Sequence, residues 1–293
     1  MLSLFPQPNY ITRSGNGKDF DLIIDKLPSN FQNYYQESLL AAEMVYSKRQ
    51  GVLHLLYSGG VDSEYALSIF LKLGINIRPV IIKLNSEYNA HDIRYAFDFC
   101  ESKNLSPIVI DIDFDNFVES GKLIEVSKVC QSEKYQLAAT AYAAEKLDGT
   151  VLLGDGEPYI KLDVSTKLWN VEIYEYDYAI TNYFETKGIY GLPHFNRCTP
   201  GMMAAFLSDD RMRELALNTH PGKLGSHSSK WIVYNRHSEF NLIERQKYTG
   251  YEQIEKSPIR SHPALAELSM IGQTWNGKYS KEYFTFVKEL ICQ

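Results

Sequence analysis

Six residues, Ser58-Gly59-Gly60-Val61-Asp62-Ser63, combine what is needed to hold a polyphosphate. Gly59 and Gly60 let the backbone approach a ligand and take conformations that a Cβ forbids. Ser58 and Ser63 add hydroxyl donors, and the amides that open a following helix point at whatever lies above the turn, which favours an anion. Asp62 repels an anion unless a cation comes with it, so the loop reads as a site for a nucleotide with Mg²⁺, Asp62 holding the metal. The GxxxxGK[ST] spacing of the common phosphate loop is absent, so transfer of a γ-phosphoryl group is not the expected chemistry. A second glycine-bracketed acidic turn follows at Gly154-Asp155-Gly156-Glu157.

The elements around these turns are those of an α/β protein. Leu53 to Tyr57 form an apolar run of strand length, and Ala66, Leu67, Ile69, Phe70 and Leu73 then recur with helical spacing, so the first turn joins a strand to a helix. Ile77 to Leu84, Pro107 to Ile112 and Val151 to Leu153 read as further strands, with helices between them through Ile93, Ala96, Phe97 and Cys100 and through Leu137, Ala141 and Leu147. Short apolar strands alternating with amphipathic helices predict a parallel twisted sheet with helices on both faces. Ligands bind such sheets at the carboxyl ends of the strands, so Ser58, Asn85, Asp111 and Gly154 are expected along one rim, with Leu84 touching the nucleotide. Ahead of the sheet, Tyr35, Leu39, Ala42 and Tyr46 mark one face of a helix from about Gln32 to Lys48. Val171 to Ile180 alternates like a strand, and Tyr174, Tyr176, Tyr178, Tyr183 and Tyr190 form either a tyrosine-covered strand face or a substrate or partner wall. Thr199-Pro200 and Ser208-Asp209-Asp210 look like helix starts. The expected division is 1–50, an arm and packing helix; 51–165, the nucleotide-binding core; and 166–293, a tyrosine-rich, helical C-terminal part completing the site.

Composition narrows the class. With 293 residues, 44% of them apolar and 23% charged, the chain can bury a sizeable core. A net charge of −6 offers no general attraction to nucleic acid. No apolar run of membrane length occurs, and the first ten residues lack the pattern of a secretion signal, so a cytoplasmic protein that does not engage a membrane is expected. Cys100, Cys130, Cys198 and Cys292 are far apart with no CxxC pair, which argues against a zinc site and against the paired cysteines of sulfur transfer. Asp111, Asp113 and Asp115 alternate like metal ligands, but a chain leaving the sheet often exposes such charges, and solvated or helix-capping carboxylates are expected. His194, His220, His227, His237 and His262 lack metal-ligand spacing and are expected at exposed positions or helix ends.

The loop SGGVDS resembles the SGGxDS signature of the PP-loop, or N-type, ATP pyrophosphatases, enzymes that cleave ATP to AMP and pyrophosphate while adenylating an oxygen. The GDG turn resembles the equivalent turn in the synthetase domain of asparagine synthetase. Lys230 to Lys247, KWIVYNRHSEFNLIERQK, resembles that family's KW or KxxLR helix start followed by RxK. Three motifs in one order cover roughly Gln32 to Tyr251 in outline. Residue 2 is Leu2 and the stretch ahead of the loop is too short for the family's N-terminal glutaminase domain, so that domain is not expected, and free ammonia, an amine, or a separate glutaminase or protein partner is the expected nitrogen source. Where the family shows Asp-Glu after the GDG turn, this chain has Glu157 before Pro158 and Tyr159, so the second metal carboxylate is Glu157 or Asp163.

The resemblance implies an ATP- and Mg²⁺-dependent amide ligase that adenylates a small-molecule acid and passes it to ammonia or an amine. Ser58, Gly59, Gly60 and Ser63 would hold the pyrophosphate with Gly154 beside them, Asp62 and Glu157 the metal, and Lys230 or Arg245 the phosphates. Asp155 would take the proton of the attacking amine, and Lys247 would face the charge on the acyl centre. The alternatives are a PP-loop enzyme modifying a nucleobase or nucleic acid, and a nucleotide-binding module without catalysis.

Overall fold

The computed structural model describes residues 11–13, 20–22, 30–155, 159–162, 169–172, 177–211, 230–243 and 251–272. Among these the strands are β1 (Ile11–Arg13), β2 (Phe20–Leu22), β3 (Leu53–Leu56), β4 (Arg78–Leu84), β5 (Ile108–Ile112), β6 (Thr150–Leu153), β7 (Tyr159–Leu162), β8 (Trp169–Glu172) and β9 (Gly191–Leu192). The helices are α1 (Tyr34–Lys48), α2 (Val61–Lys72), α3 (Ala90–Ser102), α4 (Phe114–Glu119), α5 (Lys122–Cys130), α6 (Tyr135–Ala144), α7 (Asp177–Lys187), α8 (Pro200–Leu207), α9 (Lys230–Arg236), α10 (Glu252–Glu255) and α11 (Pro263–Gly272).

Five strands form one all-parallel sheet in the order β5-β4-β3-β6-β9, as the alternating pattern predicts. β3, which feeds the glycine loop, is central, paired with β4 on one side and β6 on the other, and its four residues are all buried. The pleat divides them. Leu53, Leu55 and Leu152 face a core shared with α1, α2, α3, α8 and α9, while Leu56, Val151 and Leu153 face one shared with α4 to α7, α10 and α11. Helices therefore cover both faces, which is why β6 and the middle of β4 read as continuous apolar runs, whereas β5, at the sheet edge, exposes Val109 and Asp111. In α2, Leu67, Ile69 and Phe70 are fully buried, each contributing about 1.5–3 kcal/mol of apolar transfer.

Three expected faces shift. The buried face of α1 carries Tyr34, Ser38, Ala41 and Val45, with Ala42 beside it, whereas Tyr46 is exposed. Ser38 belongs inside because its hydroxyl donates to the Tyr34 carbonyl and accepts from Tyr65 Oη, so a residue that counts as polar in the sequence is satisfied in the core. On α3, Ile93, Ala96 and Cys100 are buried but Phe97 is exposed. Val171 to Ile180 is not one strand. β8 stops at Glu172 after pairing antiparallel with β7, and Asp177 opens α7.

Within α7, Tyr183 is fully buried and donates to Glu145 Oε2 at 2.7 Å, so it is core rather than substrate wall. Tyr190 donates to the Lys48 carbonyl, while Tyr174 and Tyr176 lie outside the described residues. α8 begins as expected, with Thr199 accepting from Met202 N as the cap and Pro200 in the first turn. The short edge strand β9 is legible only in three dimensions. Cys100, Cys130 and Cys198 are buried free thiols, burial pushing them up to about 11, about 12 and about 12. No helix among the described residues is long and apolar enough to cross a membrane.

Candidate active site

The loop between β3 and α2 folds as its glycines require. Gly59 has φ +78°, and a Cβ there would lie 2.7 Å from the Ala96 backbone nitrogen. Gly60 caps α2 in an extended conformation. The hydroxyls close the turn from within: Ser63 Oγ donates to the Gly60 carbonyl at 3.0 Å and lies 3.3 Å from Ser58 Oγ, which accepts from Gly60 N. Ser63 is buried, whereas Ser58 is exposed at the strand end.

Asp62, in the first turn of α2, faces α9. Lys230 Nζ donates to its Oδ2 at 2.5 Å and Tyr234 Oη to its Oδ1 at 2.8 Å. Lys230 and Tyr234 are four residues apart, hence on one helix face. Tyr234 is held in turn by stacking on Tyr65, ring centroids 4.3 Å apart and 13° from parallel, with Tyr34 against both rings. The ammonium of Lys230 is thus fixed by a carboxylate 168 positions away in sequence.

The GDG turn arrives from the other side. A Cβ on Gly154 would lie 2.6 Å from Ser63 Cα, so only glycine lets the end of β6 rest on the first turn of α2. Asn196, fully buried in the turn after β9, bridges the two: its Nδ2 donates to the Gly154 carbonyl and, at 3.4 Å, to the Asp62 carbonyl. Tyr34 Oη donates to the Asn196 carbonyl at 2.8 Å. Asp155 stands half-exposed at the mouth, with His194 Nδ1 3.3 Å from its Oδ1.

The structure therefore brings Ser58, Gly59, Gly60, Asp62, Ser63, Gly154, Asp155 and Lys230 together. Leu84 is fully buried at the end of β4, in the core opposite α2, and its N–H donates to Asn89 Oδ1. Glu157, Asp163, Arg245 and Lys247 lie outside the described residues. Asn85 follows β4 on the expected rim, but Asp111 sits within β5, paired with Lys83 and exposed. Of the other two acids, Asp113 caps α4 by accepting from Asn116 N, and Asp115 accepts from Tyr88 Oη and Asn85 Nδ2. His194, expected at an exposed position or a helix end, takes the second of these places and is buried. Sequence reading passed over Tyr34, Asn196 and Tyr234. Only Tyr234 left a signal, its four-residue spacing from Lys230.

No family model matches the chain, and no curated protein does. Among solved structures it is similar to an NMN synthetase from Francisella tularensis, at 18% identity and TM-score 0.34, over 79% of this chain and 94% of that one. It is also similar to a predicted subunit of tRNA methyltransferase from Methanocaldococcus jannaschii, at 17% identity and TM-score 0.30, over 59% of this chain and 80% of that one. Likenesses this distant do not bear on the chemistry, which rests on the residues themselves.

The arrangement sets the start of α2, a helix end that favours an anion, beside one fixed ammonium, one carboxylate inside the site and one half-exposed next to it. Asp62 fits Mg²⁺ in kind, since a carboxylate oxygen is the hard donor that ion takes; here its two oxygens accept from Lys230 and Tyr234.

Proposed function

We propose that this chain is an ATP-dependent, AMP- and pyrophosphate-forming amide ligase of the asparagine synthetase type, adenylating a carboxylate and passing it to ammonia or an amine. One observation carries the reading: three motifs separate in sequence meet at one point, where Asp62 of the SGGVDS loop is bonded to Lys230 of the KW stretch and Gly154 of the GDG turn rests on Ser63. Residues 51–165 form the ATP-binding core, and 166–293 complete the site.

On this reading the turn of Ser58, Gly59 and Gly60 at the start of α2 receives the polyphosphate, and Ser63 braces the turn from inside. Asp62 would hold Mg²⁺, the ion supplying neutralisation of the pyrophosphate as it leaves. Lys230 places a second positive charge at the same edge of the site. An amine attacks only when neutral, so Asp155, exposed at the mouth, accepts the proton released as the amide forms, with His194 orienting its carboxylate. Lys247, outside the described residues, is assigned to the charge that develops on the acyl centre by its place in the RxK stretch.

The test is incubation with ATP, Mg²⁺, ammonium and a panel of small carboxylic acids. Pyrophosphate and AMP should appear in equal amounts and only with the right acid; ADP and orthophosphate instead would sink the reading. Asp155→Asn should retain acid-dependent exchange of labelled pyrophosphate into ATP while losing amide synthesis. Loss of both together would count against its role as a base.

A further inference from the structure

A second group of donors lies on α3, apart from the residues assigned above. His91 and Asp92 occupy its first turn, and Glu252 opens α10; one ligand atom from each, the imidazole nitrogen of His91 and a carboxylate oxygen of each acid, all lie within 4.8 Å of one another. We propose that His91, Asp92 and Glu252 form a site for a divalent transition-metal ion of the zinc class, clamping α10 to α3.

The donors are held by independent anchors, so the site is preorganised. Asn89, buried just ahead of α3, donates from Nδ2 to the Ile82 carbonyl, accepts from Leu84 N, and receives Asp92 N on its own carbonyl. That ties the first turn of α3 rigidly to the end of β4. On the other side Tyr251 is buried against Phe114 and Tyr135, and Glu255 accepts from Tyr135 Oη and Arg260 Nε. The backbone that carries Glu252 is thereby anchored on both sides, and its carboxylate meets the His91 imidazole.

The chemistry of the set selects the ion. Two carboxylates this close, one of them buried, attract a cation, and a nitrogen donor beside them favours a metal that accepts imidazole over Mg²⁺, which takes oxygen. His91 Nε2 and Glu252 Oε2 stand 3.1 Å apart. Two ligands about 2.0–2.1 Å from one ion are separated by about 2.9 Å at a right angle and about 3.4 Å at the tetrahedral angle, so this spacing suits a shared metal. His91 and Glu252 are each about one-third exposed (39% and 31% of the side chain), which leaves water access to a fourth coordination position. The site also adjoins the loop: one helical turn further along α3, Tyr95 and Ala96 form the surface on which Gly59 packs.

The test uses the full chain, stripped with a chelator and titrated with ZnCl₂ against a chromophoric competitor, with MgCl₂ in parallel, for the wild type, His91→Ala, Glu252→Gln and, as a thiol control, Cys292→Ser. One Zn²⁺ per chain is expected, unaffected by Mg²⁺ or Cys292→Ser, and weakened about tenfold or more in the other two variants, since even outer-sphere losses cost that much. At Zn²⁺ a hundredfold above its dissociation constant the wild-type Tm should rise by about 5 °C, and those of His91→Ala and Glu252→Gln should not follow. Metal-free urea midpoints of the variants separate lost ligation from lost folding. Undiminished binding in both ligand variants, or no saturable Zn²⁺ binding by the wild type, overturns the proposal whatever reaction the chain performs.

Discussion

Asp62→Asn keeps the shape of the side chain and, judged from sequence alone, leaves the fold intact. The structure makes it a stability mutation as well. The Lys230 side chain is 9% exposed and that of Asp62 20%, so the substitution takes the carboxylate away from an ammonium that water scarcely reaches. Breaking a buried pair from one side costs about 3–5 kcal/mol, and the partial exposure of Asp62 moves this to about 2–4 kcal/mol. Lys230→Met should cost a similar amount by leaving Asp62 with the hydroxyl of Tyr234 and without the ammonium. Changing both removes the charges together, so the double variant should be more stable than the sum of the single losses predicts, by a coupling of about 1–3 kcal/mol. Equilibrium urea unfolding of the four proteins measures this, each single change moving the midpoint by about 1 M if the slope is about 3 kcal/mol/M. Losses that add to within about 0.5 kcal/mol would refute the coupling, and with it the placement of Lys230 against Asp62.

Gly59→Ala should destabilise by roughly 2–4 kcal/mol and abolish nucleotide binding, because φ is +78° and the Ala96 backbone cannot retreat from a Cβ at 2.7 Å; an unchanged Tm would contradict the loop conformation. Burial holds His54 below its ordinary 6.5, its Nε2 against the Asp148 carbonyl and its Nδ1 without a hydrogen-bond partner among the described residues. The unfolded chain therefore binds the proton first, and stability should fall as pH drops below about 6.5, by at most about 1.4 kcal/mol per pH unit. Urea unfolding at pH 7.5 and 5.5 should show that His54→Gln lessens the loss; equal losses would exclude His54 as its source. Asp113→Ala should cost about 1 kcal/mol by removing the cap of α4, whereas Asp111→Ala, exposed on β5, should stay within about 0.5 kcal/mol; thermal melts giving the reverse order would reopen a metal role for the run.

The sequence by itself determined the sheet. A strand covered on both faces is rich in apolar residues and a helix that covers it is apolar on one side, so Leu53–Leu56, Arg78–Leu84, Ile108–Ile112 and Thr150–Leu153 announce themselves locally even though Arg78, Lys83, Val109 and Asp111 are exposed, as does the loop, whose glycines answer to backbone geometry. Only the tertiary structure decided what the loop faces. Asn196 is polar yet wholly buried, and Ser38 and Tyr34 sit on the inner face of α1, because each finds a partner that is remote in sequence. Residue type and spacing carry no trace of such partners. β9 joins the sheet through two residues, too few to show a period, and Val171 to Ile180 alternates like a strand although α7 opens at Asp177 and buries Tyr183. The pairing of Lys230 with Asp62 is of the same kind: it exists because α9 crosses the start of α2, and a contact across 168 residues depends on packing rather than on either local stretch.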